Sequence, residues 1–176
     1  MNRVQLAIEI AKRAHKGQTD KLGADYITHP LRVNRNLISN PNFLKLTAQE
    51  REDAEVAAIL HDVIEDSVDN GSEVFTREDL MMQGFTPRSI EVVVLLTRTK
   101  DVHPDDYYRA IKSNHLARLV KLADIADNRN KHRVAGLSED TAARLAERYR
   151  HAMEIVTLNE LDEKWMLEAI NYEIGE

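Results

Sequence analysis

Apolar residues along this chain recur at intervals of three and four, the period of helices packed on one side. The first stretch, Arg3 to Lys16, carries Val4, Leu6, Ala7, Ile10, Ala11 and Ala14 on its apolar side. A polar loop, Gly17 to Thr28, follows. Pro30 suits the first turn of a second helix, where a missing N–H costs little, and Leu31, Val33, Leu37 and Ile38 continue it. Thr47-Ala48-Gln49-Glu50 has the spacing of a capping box. It opens a long helix expected to run through Val56, Ile59, Leu60, Val63 and Ile64 to Glu65-Asp66. Thr76 caps a short helix through Leu80 to Met82, and Thr86-Pro87 starts another over Val92 to Leu96. That last run is β-branched, but its length and cap favour helix over strand. Pro104 opens Asp105 to Ser113, Leu116 to Asn128 comes next, Ser138 caps a helix to about Leu158, and a short final helix carries Trp165, Leu167 and Ile170. About eight or nine helices joined by short loops are expected. The prediction is an all-α bundle forming a single domain over residues 1–176, with no internal repeat or linker.

Composition narrows the picture. Only six Gly and four Pro are spread through 176 residues, which fits helices better than strands and turns. There is no Cys, so disulfides, thiolate zinc sites and cysteine nucleophiles are excluded. The N-terminus reads straight into an amphipathic helix, and neither a signal peptide nor an apolar run of membrane length is visible. A cytoplasmic setting without membrane contact is the expectation. The net charge of −6 argues against a nucleic-acid partner, since affinity for a phosphate backbone comes from basic groups. A small phosphorylated substrate needs only a local basic patch. Packing of the helix around Trp165 on the core and packing on a second subunit, as in a homo-oligomer, both remain open.

One segment of the long helix breaks its apolar pattern: Ala57-Ala58-Ile59-Leu60-His61-Asp62-Val63-Ile64-Glu65-Asp66. On a continuous helix His61 would lie below Glu65 and Asp62 below Asp66. Charges drawn into an apolar surface need partners or a metal, and a divalent cation with an acid/base beside it is the simplest use. Two further ligand candidates lie elsewhere. His29 stands at a helix entrance in Asp25-Tyr26-Ile27-Thr28-His29-Pro30, and Asp124 interrupts the apolar face of Leu119 to Asn128. Two imidazoles and two carboxylates suit Mn²⁺, Fe²⁺ or Zn²⁺ better than Ca²⁺ or Mg²⁺. Such a cation polarises a phosphoryl oxygen and lowers the pKa of water, with Glu65 or Asp66 orienting that water or moving a proton. Taken singly, each residue has a structural reading: Asp124 as a salt-bridged acid, His29 as a surface histidine, Lys121 as a solvated cation. Glu65 and Asp66 are poor candidates for merely closing a helix, because acids at a C-terminus oppose the dipole. His15, His103, His115, His132 and His151 lie in more polar surroundings and read as structural or exposed.

Four segments occur in a distinctive order and spacing: His15-Lys16-Gly17-Gln18, Tyr26-Ile27-Thr28-His29-Pro30-Leu31, Ala58 to Asp66, and Val120-Lys121-Leu122-Ala123-Asp124 followed by Asn128. Together they resemble the hydrolase domain of the RelA/SpoT homologues, a branch of the HD-domain metallohydrolases. The resemblance spans about residues 3–158, leaving the helix at about 160–172 as an accessory element. It implies an all-α HD fold and a Mn²⁺ site held by His29, His61, Asp62 and Asp124. It implies Glu65 and Asp66 as the catalytic acidic pair. Asn128 matches an asparagine near the ribose and phosphates, Tyr149 falls near a tyrosine lining the nucleotide pocket, and Lys121 and Lys21 are the expected basic contacts. The stretch Thr97 to Asp106, with Lys100, is expected to form a loop near the substrate. The implied reaction removes the 3′-diphosphate of ppGpp or pppGpp, giving GDP or GTP and pyrophosphate. The small stand-alone alarmone hydrolases are the nearest comparison.

One position departs from that pattern. Asp20 stands where the family carries an arginine that holds the guanine, and Lys21 replaces it only in part, because an ammonium cannot stack as a guanidinium does. Two other readings compete. One is an HD phosphohydrolase for another nucleotide or phosphorylated metabolite, motivated by Asp20. The other is a non-catalytic nucleotide-sensing module, against which the acidic pair argues, since a binder gains nothing from two carboxylates beside a phosphate.

Overall fold

Side-chain caps set where most helices begin. The computed structural model describes residues 1–67 and 73–172, and among them lie eleven α-helices and one short 3-10 turn. Asn2 and Thr47 form capping boxes that open α1 (Arg3–Ala14) and α3 (Ala48–Leu60). α2 (Thr28–Ser39) lies between them, followed by the 3-10 turn Phe43–Lys45. Beyond α3 come α4 (Val63–Ser67), α5 (Arg77–Met82), α6 (Pro87–Leu96) and α7 (Pro104–Ser113). Thr76, Thr86 and His103 cap the last three, and proline leads α6 and α7. α8 (His115–Asn128), α9 (Lys131–Ala135), α10 (Glu139–Val156) and α11 (Glu160–Asn171) complete the order, capped by Asn114, Asn130, Ser138 and Asn159. The only extended pairing among the described residues is one bridge, Thr19 with Asp25, which closes the loop between α1 and α2.

α8 runs through the middle of the bundle. Every residue from Leu116 to Asp127 is buried, as expected of a helix covered on all sides. α2, α3, α6, α7, α10 and α11 pack on it, and α1 packs on α3. Ala54, Ala57 and Ala58 of α3 are fully buried beside Val56, Ile59 and Leu60. α11 docks on this core: Trp165, Met166 and Ala169 are buried, and Arg118 of α8 donates to Asp162 Oδ2 at 2.6 Å. No helix among the described residues is long and apolar enough to cross a membrane.

Two elements depart from the sequence reading. The expected long helix is broken after Leu60, with His61 and Asp62 in the turn that separates α3 from α4. His61 Nδ1 donates to Ala58 O at 2.8 Å, taking up a carbonyl of the last turn. Helical bonding resumes when Asp66 N–H reaches Asp62 O at 2.8 Å. Glu65 and Asp66 therefore lie in the first turn of α4, where acids suit the dipole. The second departure is α9, which buries no residue and so leaves no periodic signal.

Candidate metal centre and cleft

The two imidazoles are fixed by what their outer nitrogens touch. His29, in the first turn of α2, donates from Nδ1 to Asp127 Oδ2 at 2.7 Å, as His61 does to the Ala58 carbonyl. Both acceptors lack protons, so each Nδ1 carries a hydrogen and each Nε2 is the inward nitrogen, which offers a lone pair once any proton on it is lost. His61 Nε2 is buried and makes no well-aligned hydrogen bond, only a close approach to Asp62, which is the condition of a ligand atom facing a cation site.

Carboxylates meet these nitrogens from α8 and from the residue next to His61. Asp124 Oδ1 of α8 lies 3.4 Å from His29 Nε2 and 3.9 Å from His61 Nε2. Asp62 Oδ2, at the α3–α4 turn, lies 3.0 Å from His61 Nε2 and 3.6 Å from His29 Nε2. His29, His61 and Asp124 are all buried, and each brings a ligand atom within 4.8 Å of the others. Two nitrogens and two oxygens at this separation fit a divalent transition metal.

Surrounding groups aim the carboxylates. Tyr26 OH donates to Asp62 Oδ2 at 2.7 Å. Lys121 Nζ donates to Asp124 Oδ2 at 2.8 Å, and Asn128 Nδ2 donates to Oδ1 at 2.6 Å. Burial disfavours a charged Lys121, yet the Asp124 carboxylate outweighs it and holds the lysine pKa well above its ordinary value. Burial likewise opposes charge on His29, but hydrogen bonds to Asp124 and Asp127 prevail and raise its pKa to about 9. Burial also opposes charge on His61, yet with no cation bound the Asp62 carboxylate, and then Asp124, raise its pKa. Despite burial, Asp62 is held below the usual carboxylate range by the His61 and His29 charges.

The centre opens into a cavity of about 340 Å³, within the size range of small-ligand sites. His29, Asp62 and Asp124 form its floor, and Glu65, Asp66, Lys21, Lys121, Asn128 and Tyr149 all line it. The metal-ligand, acidic-pair and substrate-contact candidates thus share one cleft, with His61 beneath the floor. Glu65 Oε2 accepts the Arg98 backbone N–H at 2.8 Å, and Asp66 Oδ2 accepts Gln18 Nε2 at 2.8 Å. Desolvation first, and the Asp62 charge second, raise Asp66 above its ordinary value; desolvation similarly raises Glu65, partly countered by the Arg98 N–H.

Several residues at or behind the cleft escape the sequence reading. Asp127 orients His29 and also accepts from Arg32 Nε at 2.7 Å and from Arg133. It follows Asp124 by three residues on the same buried helix face, a signal that could have found it. Tyr26, Arg98, Arg133 and Arg148 also line the cleft. Arg98 comes from the expected substrate loop, whereas Lys100 is absent from the lining. Asp20 also lines the cleft, but its oxygens are engaged: Oδ1 accepts the N–H groups of Leu22 and Ala24, and Oδ2 lies 3.3 Å from Arg133 Nη2. Desolvation and the like charges of Arg144, Arg148 and Arg133 lower the Lys21 pKa, marking a cationic rim. His15, in the group read as structural or exposed, is buried with its ring against Tyr26. His103 caps α7, and His151 pairs with Asp105 at 2.7 Å, away from the cleft.

No family model matches this chain, and no curated protein does. Among solved structures it is similar to a protein described as a metazoan ortholog of SpoT that hydrolyzes ppGpp and plays a role in starvation responses. The two superpose with a TM-score of 0.69 over 96% of this chain and 94% of that one, at 21% sequence identity. At that identity the likeness speaks for architecture: the chain has the all-α, HD-domain helical fold.

Proposed function

We propose that this chain is a divalent-metal-dependent pyrophosphohydrolase that removes the 3′-diphosphate of ppGpp or pppGpp. The observation that carries the reading is the meeting of His29, His61, Asp62 and Asp124 at the floor of a cleft whose wall holds Glu65 and Asp66. The described activity of the structurally similar protein supports the choice of substrate. Mn²⁺ is the proposed cation, held by those four residues within a single HD-type domain in a cytoplasmic setting.

A divalent cation at such a centre supplies electrophilic activation of the phosphoryl group and lowers the pKa of water. The chain's own residues do the rest. Glu65 and Asp66, both raised above ordinary carboxylate values, can take a proton from attacking water and return one as the ribose 3′-oxygen leaves phosphorus. Lys121 and Asn128 keep Asp124 in its liganding orientation and also face the cleft, so they can meet phosphate oxygens there. Lys21 and Arg148 place positive charge at the outer rim. Tyr149 is a buried wall for the nucleoside; burial and then the Asp124 charge push its pKa up to about 12, so the phenol stays neutral.

One observation favours a second reading. Asp20 is tied to its own loop and to Arg133, so the loop presents Lys21 rather than a stacking arginine to a base. A different phosphorylated nucleotide would suit that rim. Product analysis of purified protein with ppGpp and a nucleotide panel, with and without Mn²⁺, separates the readings. Metal-dependent GDP and pyrophosphate are the expected products. Orthophosphate from other nucleotides, with ppGpp untouched, would assign the second reading. Tight ppGpp binding without turnover would assign a sensing module.

A further inference from the structure

The segment His15-Lys16-Gly17-Gln18 has no role in the chemistry above, yet it reaches the cleft. α1 ends at Ala14, and the chain turns through Gly17, whose φ of +77° is a conformation that side chains resist. The turn returns Gln18 N–H to His15 O at 3.0 Å and brings both side chains together. His15 Nδ1 lies 2.8 Å from Gln18 Oε1, and Gln18 Nε2 lies 2.8 Å from Asp66 Oδ2. Chemistry fixes the direction of this chain. The Asp66 carboxylate only accepts, so the glutamine must turn its NH₂ toward it and its carbonyl oxygen toward His15. That oxygen also only accepts, so Nδ1 of His15 must carry the proton. The ring is 3% exposed, its centroid is 4.8 Å from that of Tyr26, and its Nε2 has no hydrogen-bond partner. A buried imidazole with one nitrogen unsatisfied is costly, and its single polar contact is the one that orients Gln18.

We propose that His15 and Gln18 are positioning residues for Asp66. The imidazole locks the Gln18 amide, and the amide holds one Asp66 oxygen at a set place on the cleft wall before substrate arrives. This rests on the reading that Asp66 belongs to the catalytic pair. In this arrangement both act through Asp66.

Four variants test it: Gln18→Leu, His15→Phe, His15→Asn and the double variant Gln18→Leu/His15→Phe. Asparagine keeps a donor close to the position of Nδ1, whereas phenylalanine keeps only the volume. With Mn²⁺ and ppGpp, Gln18→Leu and His15→Phe should each lower kcat by about tenfold to a hundredfold, the scale of misplacing a reacting group. KM and Mn²⁺ affinity should stay near wild type. His15→Asn should recover most of the loss, and the double variant should be no worse than Gln18→Leu alone. Multiplicative losses, or equal loss in His15→Asn and His15→Phe, would overturn the proposal, as would full kcat in Gln18→Leu. Gln18 is half-buried, so Gln18→Leu carries the test should His15→Phe fail to fold. The carbon resonance of the Asp66 carboxyl gives a substrate-free readout. It should move in Gln18→Leu and His15→Phe but not in His15→Asn. That pattern with an inactive wild type would sink the ppGpp reading and leave the positioning role standing; an unmoved resonance would sink the positioning role whatever the substrate.

Discussion

Asp127 fixes the ring of one proposed ligand. It holds His29 Nδ1–H and is itself held by Arg32 and Arg133. Asp127→Ala should weaken Mn²⁺ binding by about 10–100-fold, the usual effect of losing a group that orients a ligand. Calorimetric titration reads this directly, and an unchanged affinity would mean that packing alone sets the ring. Glu65→Gln separates metal from proton transfer, since the amide can still accept the Arg98 N–H. It should bind Mn²⁺ normally and lose roughly 10²–10⁴-fold in kcat; wild-type turnover would pass the role to Asp66. His61, Asp62 and Asp124 stood out as ligand candidates because each interrupts an apolar run that had to be buried. Arg133 and Arg148 were not, because an arginine in a polar segment looks the same whether it faces water or a cleft.

Helix starts were readable one by one, since Thr47, Thr76, Thr86 and Ser138 each cap where the sequence places them. The break between α3 and α4 was not, because apolar spacing continues through it and only the His61 ring competing for the Ala58 carbonyl reveals the turn. That break moves Glu65 and Asp66 from a helix end that would repel them to one that favours them. Between α8 and α11 the decisive contact is Arg118 with Asp162, both almost fully buried. Asp162 also accepts the Leu158 N–H and Asn42 Nδ2. Asp162→Ala should destabilise the protein by about 3–5 kcal/mol in urea unfolding, because it strands a buried guanidinium. A loss below about 1 kcal/mol, the worth of a surface pair, would show that water reaches Arg118 once its partner is gone.

Across the whole molecule, three segments distant in sequence (α2, the α3–α4 turn and α8) are drawn around one charge problem. In the metal-free protein His29 holds a proton up to about 9, well above its ordinary 6.5. A cation needs the lone pair on Nε2, so binding at neutral pH must expel that proton. Mn²⁺ affinity should therefore rise with pH, by about tenfold per unit for each proton released, and level off above about 9. Titrations between those limits in buffers of different ionisation enthalpy would count the protons, and a flat profile would mean neutral imidazoles before the ion arrives. The all-α class, most helix starts and the four ligand candidates follow from the sequence alone, because periodicity, caps and polar interruptions are local signals. Which side chains share a cleft, which nitrogen of each histidine faces inward, and why Asp20 turns to Arg133 were decided only by tertiary structure. Those facts depend on the packing of α2, α3 and α8 and on the fold of the loop between α1 and α2, which set distances between residues far apart in the chain.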